Sequence, residues 1–436
     1  MPTWRIAVRK ATGFLVENRT LIMRVFLPFV AGYYLSYLFR TVNALIAAPL
    51  TSDLGLCAGD LGLLTSVYFL TFAAAQIPIG VLLDRYGPRR IQSALLVSAA
   101  AGAALFSISD NFFLLLAGRA LMGLGVAAAL TAGLKALVLW FPRDQVPLLN
   151  GLMIMLGALG AVTATSPADL LLALIGWRGL FALFAAVTAI CAGMTYFVVP
   201  ETAPVANDTT TVSLKKIYAD SRFWRLAPLS ATCIGTAWAL HGLWAAQWLA
   251  DVEILNRTAL VWHLFAMAVA VSLGALIFGL AADRLRRRGV GPHVLLGCVA
   301  TIAIVAQLAL ILRWPLPSYL LWPIVAAVGA ATVLSYAILA DHFPKELAGR
   351  ANGFLNFFHI GAAFLLQSAT GLVLQHWTPD AGHYPEIGYQ TAFTLNVALQ
   401  VVALVWFAFP RLFHAVGELS TVLRKRSEPA KYDSCG

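Results

Sequence analysis

Arg40 lies near the middle of a long apolar run at about 27–48, where an ionisable side chain is costly and marks a functional site by default. Tyr33, Ser36, Tyr37, Arg40 and Asn43 fall within about 120° of one another at helical spacing. A guanidinium flanked by hydroxyls and an amide could grip a carboxylate or phosphate with two parallel hydrogen bonds. The plainer alternative is a structural arginine tied to backbone carbonyls of a neighbouring helix. A second polar row, Asn352, Asn356, His359, Ala363, Gln367 and Thr370, shares one face of the run at about 353–375. Lipid would not tolerate that row, so it faces protein or water. We expect substrate contacts from Tyr33, Tyr37, Arg40 and Asn43 on one side of a cavity and from Asn356, His359 and Gln367 on the other.

All twenty acidic residues fall in loops, tails or run ends, whereas Arg40, Arg119 and Lys135 lie inside runs. Buried cations without buried carboxylates suit an anionic ligand, or a metal cation held without charge by His and Met. His241 sits between Trp238 and Trp244 on one helical face. With an unperturbed pKa of about 6.5, a histidine is the natural group to couple a proton. Arg119 and Lys135 are sixteen positions apart, roughly 160° on a straight helix, so both cannot face one cavity. Lys135 precedes Pro142 by seven residues and is expected to snorkel to the surface. His263, one turn before Met267, could offer soft ligands to copper or iron, with packing as the alternative. The five cysteines show no paired spacing, so neither a disulfide framework nor a zinc site is expected.

The elements that must position these groups are membrane helices. The chain of 436 residues is 60% hydrophobic and 11% charged, with a mean hydropathy of +0.80, whereas soluble domains run at roughly 25% charged residues. Twelve apolar runs, at about 27–48, 61–83, 91–109, 112–138, 148–171, 179–199, 227–249, 259–281, 293–313, 317–339, 353–375 and 390–410, each approach the roughly 20 residues a transmembrane helix needs. Of the thirty Lys and Arg residues, 24 fall in the tails and even-to-odd loops and only Arg178, Arg257 and Arg313 in the opposite loops. That bias places both termini in the cytoplasm. It accounts for the net charge of +10 through lipid surface charge, and no nucleic-acid partner is implied. The first 25 residues carry five cations and lack a cleavage site before an apolar run, so no cleavable signal peptide is read.

The chain divides into a cytoplasmic tail (1–26), a six-helix bundle (27–199), a polar cytoplasmic linker (200–226), a second six-helix bundle (227–410) and a cytoplasmic tail (411–436). The halves repeat. Gly80-Val-Leu-Leu-Asp84-Arg85, followed by Gly87, Arg89 and Arg90, matches Gly279-Leu-Ala-Ala-Asp283-Arg284, followed by Arg286, Arg287 and Arg288. Phe141-Pro142-Arg143 leads to Asn150-Gly151 as Phe343-Pro344-Lys345 leads to Asn352-Gly353. A charged hinge at matching points of two apolar halves belongs to a duplicated helical bundle. Asp84 could bind backbone amides or an arginine across the bundle, and such a cluster, with Arg85 and Arg89, can latch one conformation of a rocker. The plainer reading is a positive-inside anchor.

On these residues the chain resembles a major facilitator superfamily transporter over almost its whole length. Gly80 to Arg90 is similar to the family's signature loop between helices 2 and 3. Arg119-Ala-Leu-Met-Gly123-Leu-Gly125 resembles the helix-4 motif, and Gly176-Trp177-Arg178-Gly179 the turn before helix 6. The resemblance implies an all-α membrane fold of twelve transmembrane helices in two pseudo-symmetric bundles, and for Arg119 a role in proton coupling or packing. Gly157-Ala-Leu-Gly160-Ala lacks the Gly-Pro step of drug–proton exchangers. The stretch around Tyr37 and Arg40 resembles helix 1 of organophosphate–phosphate antiporters, without their asparagine spacing or a second arginine in the seventh run. His263-x-x-x-Met267 resembles the copper-importing branch, whose helix-7 Met-x-x-x-Met pair is absent.

The expected activity is secondary transport of a small anion by alternating access, through proton symport or exchange, with Asp84, Arg85, Arg89, Arg119, Asp283, Arg284 and His241 in coupling or gating. The alternatives are transition-metal import through His263 and Met267, and a sensor that binds without carrying flux. We expect a monomer in a bacterial inner membrane, with a small molecule or ion as substrate, the lipid bilayer as surroundings and no cofactor. No nucleophile–base set points to an enzyme.

Overall fold

A computed structural model describes residues 19–142, 145–201, 215–343, 345–380 and 382–409. The expected tails lie outside them, apart from 19–26, and so do Arg143 and Pro344 of the second repeat. The described residues form twelve membrane helices: α1 (19–54), α2 (58–86), α3 (88–107), α4 (Phe112–Trp140), α5 (146–175), α6 (177–198), α7 (221–251), α8 (Arg257–Arg286), α9 (Pro292–Ile311), α10 (Ser318–His342), α11 (Lys345–Leu374) and α12 (Glu386–Ala408). Helices satisfy every backbone group internally, which a bilayer demands. Phe113, Leu174 and Phe197 are 80%, 81% and 82% exposed, so the outer surface is one that lipid, rather than water, would cover.

Helical backbone runs unbroken from α2 into α3 except at Gly87, whose φ of 77° and ψ of 162° turn the chain. A residue with a Cβ is strained there. Gly176 makes the same break between α5 and α6 at φ 66°. α2 opens on a capping box, in which Cys57 caps the N3 amide and Asp60 returns a bond to the Cys57 amide at 3.0 Å. α1 is already helical at Arg19, the first described residue, inside the segment expected as tail, and contains a π-turn at Ile22–Phe26. α7 contains another at Leu240–Trp244. Such wide turns gather at functional sites.

The helices form two lobes, α1–α6 and α7–α12, which meet through α2 and α11, α5 and α8, and α1 and α7. The cross-lobe hydrogen bonds between described residues lie at one end, where α2 and α8 begin. Ser368 donates to Ser66 (2.8 Å), the Ala58 amide to the Tyr384 hydroxyl (3.0 Å), and Arg257 Nε to Asp169 (2.8 Å). Gly62 and Gly371 pack face to face in the same seam: a Cβ built on Gly62 would lie 3.3 Å from the Gly371 Cα. Small residues let helices approach this closely.

Candidate functional site

α1 carries Arg40 into the middle of the lobe interface, where it is 8% exposed. Its guanidinium carbon lies 4.5 Å from the Trp238 ring, 5.0 Å from Tyr37 and 5.8 Å from Phe72. Ring faces attract the charge without accepting all of its N–H donors in directed bonds. Arg40 Nε has no hydrogen-bond partner, and no carboxylate pairs with Arg40 among the described residues. The α7 π-turn fits against the same place. A Cβ on Gly242 would come 3.6 Å from the Arg40 carbonyl, and His241 beside it is 7% exposed.

Trp238 connects this cation to the second polar row. Its ring sits edge-on to His359 at 6.2 Å, and Tyr336 of α10 lies 6.0 Å from His359 on another side. The Tyr336 hydroxyl donates to Asn356 Oδ1 at 3.0 Å. His359 Nε2 bonds Ser230 Oγ at 2.7 Å, Ser230 bonds Ser335 at 2.7 Å, and His359 Nδ1 has no partner. Two turns along α11, Gln367 is fully buried with both side-chain atoms unpaired. Asn43 Oδ1 and Ser36 Oγ on α1 are also buried and unpaired. Buried unpaired polar atoms cost about 1–3 kcal/mol each, and those on α1 and α11 leave donors and acceptors free for a polar group.

Arg40, Tyr37, His241, Asn356 and His359 are therefore brought together, through Trp238. Tyr33 stacks edge-on to Tyr37 at 5.2 Å and packs its ring on Gly157, which places it behind Tyr37. Thr370, from the same α11 row, turns away: it accepts from Asn396 of α12 at 3.3 Å. Arg119 is fully buried behind α1, donating to the Phe39 carbonyl at 3.0 Å, with Phe106 at 5.3 Å and Phe181 at 5.6 Å. Its Nε and Nη2 have no hydrogen-bond partner among the described residues. His263 has both ring nitrogens engaged, by the Ala259 carbonyl (2.7 Å) and Ser318 Oγ (2.9 Å), and its ring stacks on Tyr319. A metal would have to displace one of those bonds, and the described residues contain no group of three His, Cys, Asp or Glu able to hold one.

The signature loops behave differently in the two lobes. Asp84 pairs with Lys135 of α4 at 2.5 Å, and the same ammonium donates to the Leu83 carbonyl at 2.8 Å. Arg89 donates to the Tyr196 carbonyl at 2.7 Å, Arg90 pairs with Glu201, and Arg85 lies over its neighbour Tyr86. In the second copy Asp283 and Arg284 are exposed, and the ion pair joins Arg286 to Asp341 of α10. In the first copy the loop supplies the acid and α4 the base, and in the second the loop supplies the base and α10 the acid. Sequence reasoning passed over Phe72, Ser230, Ser335 and Tyr336, and took Trp238 only as a neighbour of His241. None of them carries a local signal, since ordinary core residues have the same types and spacing.

Residues 29–364 match the family described as the Major Facilitator Superfamily. The chain belongs to that superfamily. It is a membrane transporter, not an enzyme. It is 23% identical over 297 residues to the probable sulfoacetate transporter of Cupriavidus necator, covering 64% of this chain and 69% of that one. It is 26% identical over 281 residues to the nitrate/nitrite transporter of a Picosynechococcus species, covering 57% of this chain but only 50% of the relative. The inward-facing, unoccupied structure of a bacterial homologue of the human lysosomal transporter Spinster superimposes with a TM-score of 0.74 at 20% identity, over 93% of this chain and 98% of the other. That likeness establishes the superfamily's twelve-helix fold.

Proposed function

We propose that this transporter carries a small anion by alternating access, with Arg40 as the group that holds it. The supporting observation is a midplane guanidinium held by Tyr37, Phe72 and Trp238 with its Nε unpaired. Rings neutralise part of the charge while leaving N–H donors for an oxyanion, which takes two of them side by side. The two curated relatives above, both named for anions, support the same class. Asn43 and Gln367 orient the anion from opposite lobes, and Asn356 and His359 line the way to it. His241, beside Arg40, takes the coupling proton, so that a protonated site holds the anion with two positive charges. Asp84, Arg85, Arg89, Asp283 and Arg284 belong to the hinges on which the lobes turn. The cationic bias of the loops supports cytoplasmic termini, in a bacterial inner membrane. In that orientation the clasped seam is on the outer side.

The test is melting temperature of the purified protein against nitrate, nitrite, small carboxylates and small sulfonates, followed by uptake into proteoliposomes. A ligand at about 100 times its dissociation constant stabilises the bound fold by about 2.7 kcal/mol. The shift should vanish in Arg40→Ala, and uptake should fall by at least tenfold. Arg40→Lys should recover only part, because an ammonium lacks the planar fork. Undiminished uptake in Arg40→Ala would overturn the assignment.

A further inference from the structure

A cation-lined cavity lies away from Arg40, between the start of α7, the start of α9 and the ends of α10 and α12. It measures about 380 Å³ and is lined by Arg222, Arg225 and His293 above Leu226, Leu339 and Phe407. Asp341 also lines it, Asp220 stands beside it, and both are already occupied. Asp341 pairs with Arg286, and Asp220 accepts from His342 Nε2 at 2.7 Å, with Arg222 bonded to the other ring nitrogen at 3.0 Å. Arg225 gives its Nε proton to the Phe407 carbonyl at 2.8 Å, and a guanidinium has five donors, so four remain. Arg284, Arg286, Arg287 and Arg288 follow one another just ahead of α9 and add positive potential.

The surroundings fix the depth of this cavity in the bilayer. Trp224 donates its indole N–H to the Tyr218 carbonyl at 2.9 Å, and Trp406 donates to the Trp224 carbonyl at 3.0 Å. Tryptophan and tyrosine gather at the level of lipid headgroups. We propose that this cleft binds the phosphate of an anionic phospholipid, with Arg222, Arg225 and His293 as its ligands and the apolar floor taking the first carbons below the headgroup. Basic pockets between membrane helices are suited to phosphate-bearing headgroups, and the cavity is larger than an inorganic phosphate requires.

The full-length protein, purified in a neutral detergent, would be titrated with phosphatidylglycerol, phosphatidylcholine or inorganic phosphate and read by native mass spectrometry and melting temperature. Wild type should retain phosphatidylglycerol at least tenfold better than phosphatidylcholine. Arg222→Gln/Arg225→Gln should lose that preference, and His293→Gln, which leaves both arginines in place, should weaken it by a smaller factor. If inorganic phosphate raises the wild-type melting temperature and abolishes phosphatidylglycerol retention, the phosphate chemistry stands and its source is the free ion. Equal retention of phosphatidylglycerol by wild type and both variants overturns the site. If the double variant does not fold, the His293→Gln comparison decides alone. Arg40→Ala should leave all of these readings unchanged, so a failure here is separable from a failure of the transport assignment.

Discussion

The two ends of the molecule are held by different kinds of contact. At the end where α2 begins, bonds run from one lobe to the other: Ser66 to Ser368, Ala58 to Tyr384, Asp169 to Arg257, with the Gly62–Gly371 seam between them. At the opposite end the ion pairs between described residues stay inside a lobe: Asp84 with Lys135, Arg90 with Glu201, Arg286 with Asp341, Asp220 with His342. On the proposed alternating-access reading, the first set biases which way the lobes tilt. The second braces each lobe as a rigid body. The clasp also contains an ion pair, Arg257 with Asp169, so ionic strength should act at both ends, while close packing of the glycine seam adds to the clasp alone.

The clasp has its own organiser. Asp251, at the end of α7, has a carboxylate only 6% exposed. It accepts from the Tyr389 hydroxyl (2.5 Å), the Tyr384 amide (3.2 Å) and His383 Nδ1 (2.9 Å). One acid from α7 thus shapes the loop before α12, and that loop presents Tyr384 to the first amide of α2.

The contrast can be broken most forcefully in the glycine seam. A Cβ on Gly371 would lie 2.7 Å from the Ala58 carbonyl oxygen. Gly371→Leu should cost the clasped state about 1–3 kcal/mol of overpacking. Proteoliposome uptake should drop by about 5–150-fold with little change in melting temperature, and normal uptake would show that the seam is not a closing surface. Asp251→Ala comes next. Removing a carboxylate that orders three donors should cost about 1.5–3 kcal/mol, seen as a lower melting temperature, and Tyr384→Phe should cost about 0.5–1.5 kcal/mol of the same clasp.

At the bracing end the effects should be smaller. The Asp84 side chain is 68% exposed, so a double-mutant cycle of Asp84→Asn with Lys135→Met should return about 0.2–1 kcal/mol and shrink in high salt. A coupling well above 1 kcal/mol would mean that this pair does more than brace. Smallest is the pH effect at Asp220. Burial raises its pKa, but the bonds from His342 and from the amides of Phe223 and Arg222 outweigh it and hold the carboxyl below its usual value. A depressed carboxyl stabilises the fold above the usual carboxylate range and loses that contribution as pH falls through the folded value. The melting-temperature gap between wild type and Asp220→Asn should therefore be full near neutrality and close toward pH 3. A gap that widens on acidification would contradict the assignment.

Much of the fold was legible because apolar runs of bilayer length leave one solution, the helix, and because Gly80–Arg85 recurs at Gly279–Arg284. Arg40 was legible for the same reason: a charge in such a run stands out. Its ring partners were not, since Phe72 and Trp238 reach it from α2 and α7 and carry no local mark. The π-turn at Leu240–Trp244 also escaped, because widening a helix by one residue changes neither its composition nor its polarity. Lys135 was expected at the surface, and its ammonium is directed to Leu83 and Asp84. The partner expected for Asp84 was an amide or an arginine, and α4 supplied a lysine. Asp251 looked like any acid at a helix end, and only the folded loop shows three donors converging on it.

Cys57 caps α2 beside the Tyr384 contact and is exposed, as Cys298 is, so with Cys298 and Cys435 replaced by serine it becomes a reporter. A thiol dye attached there sits at the first turn of α2, beside Trp377 in the same 680 Å³ hollow. Quenching of that dye by the indole would report in real time any change in the distance between the start of α2 and the loop before α12.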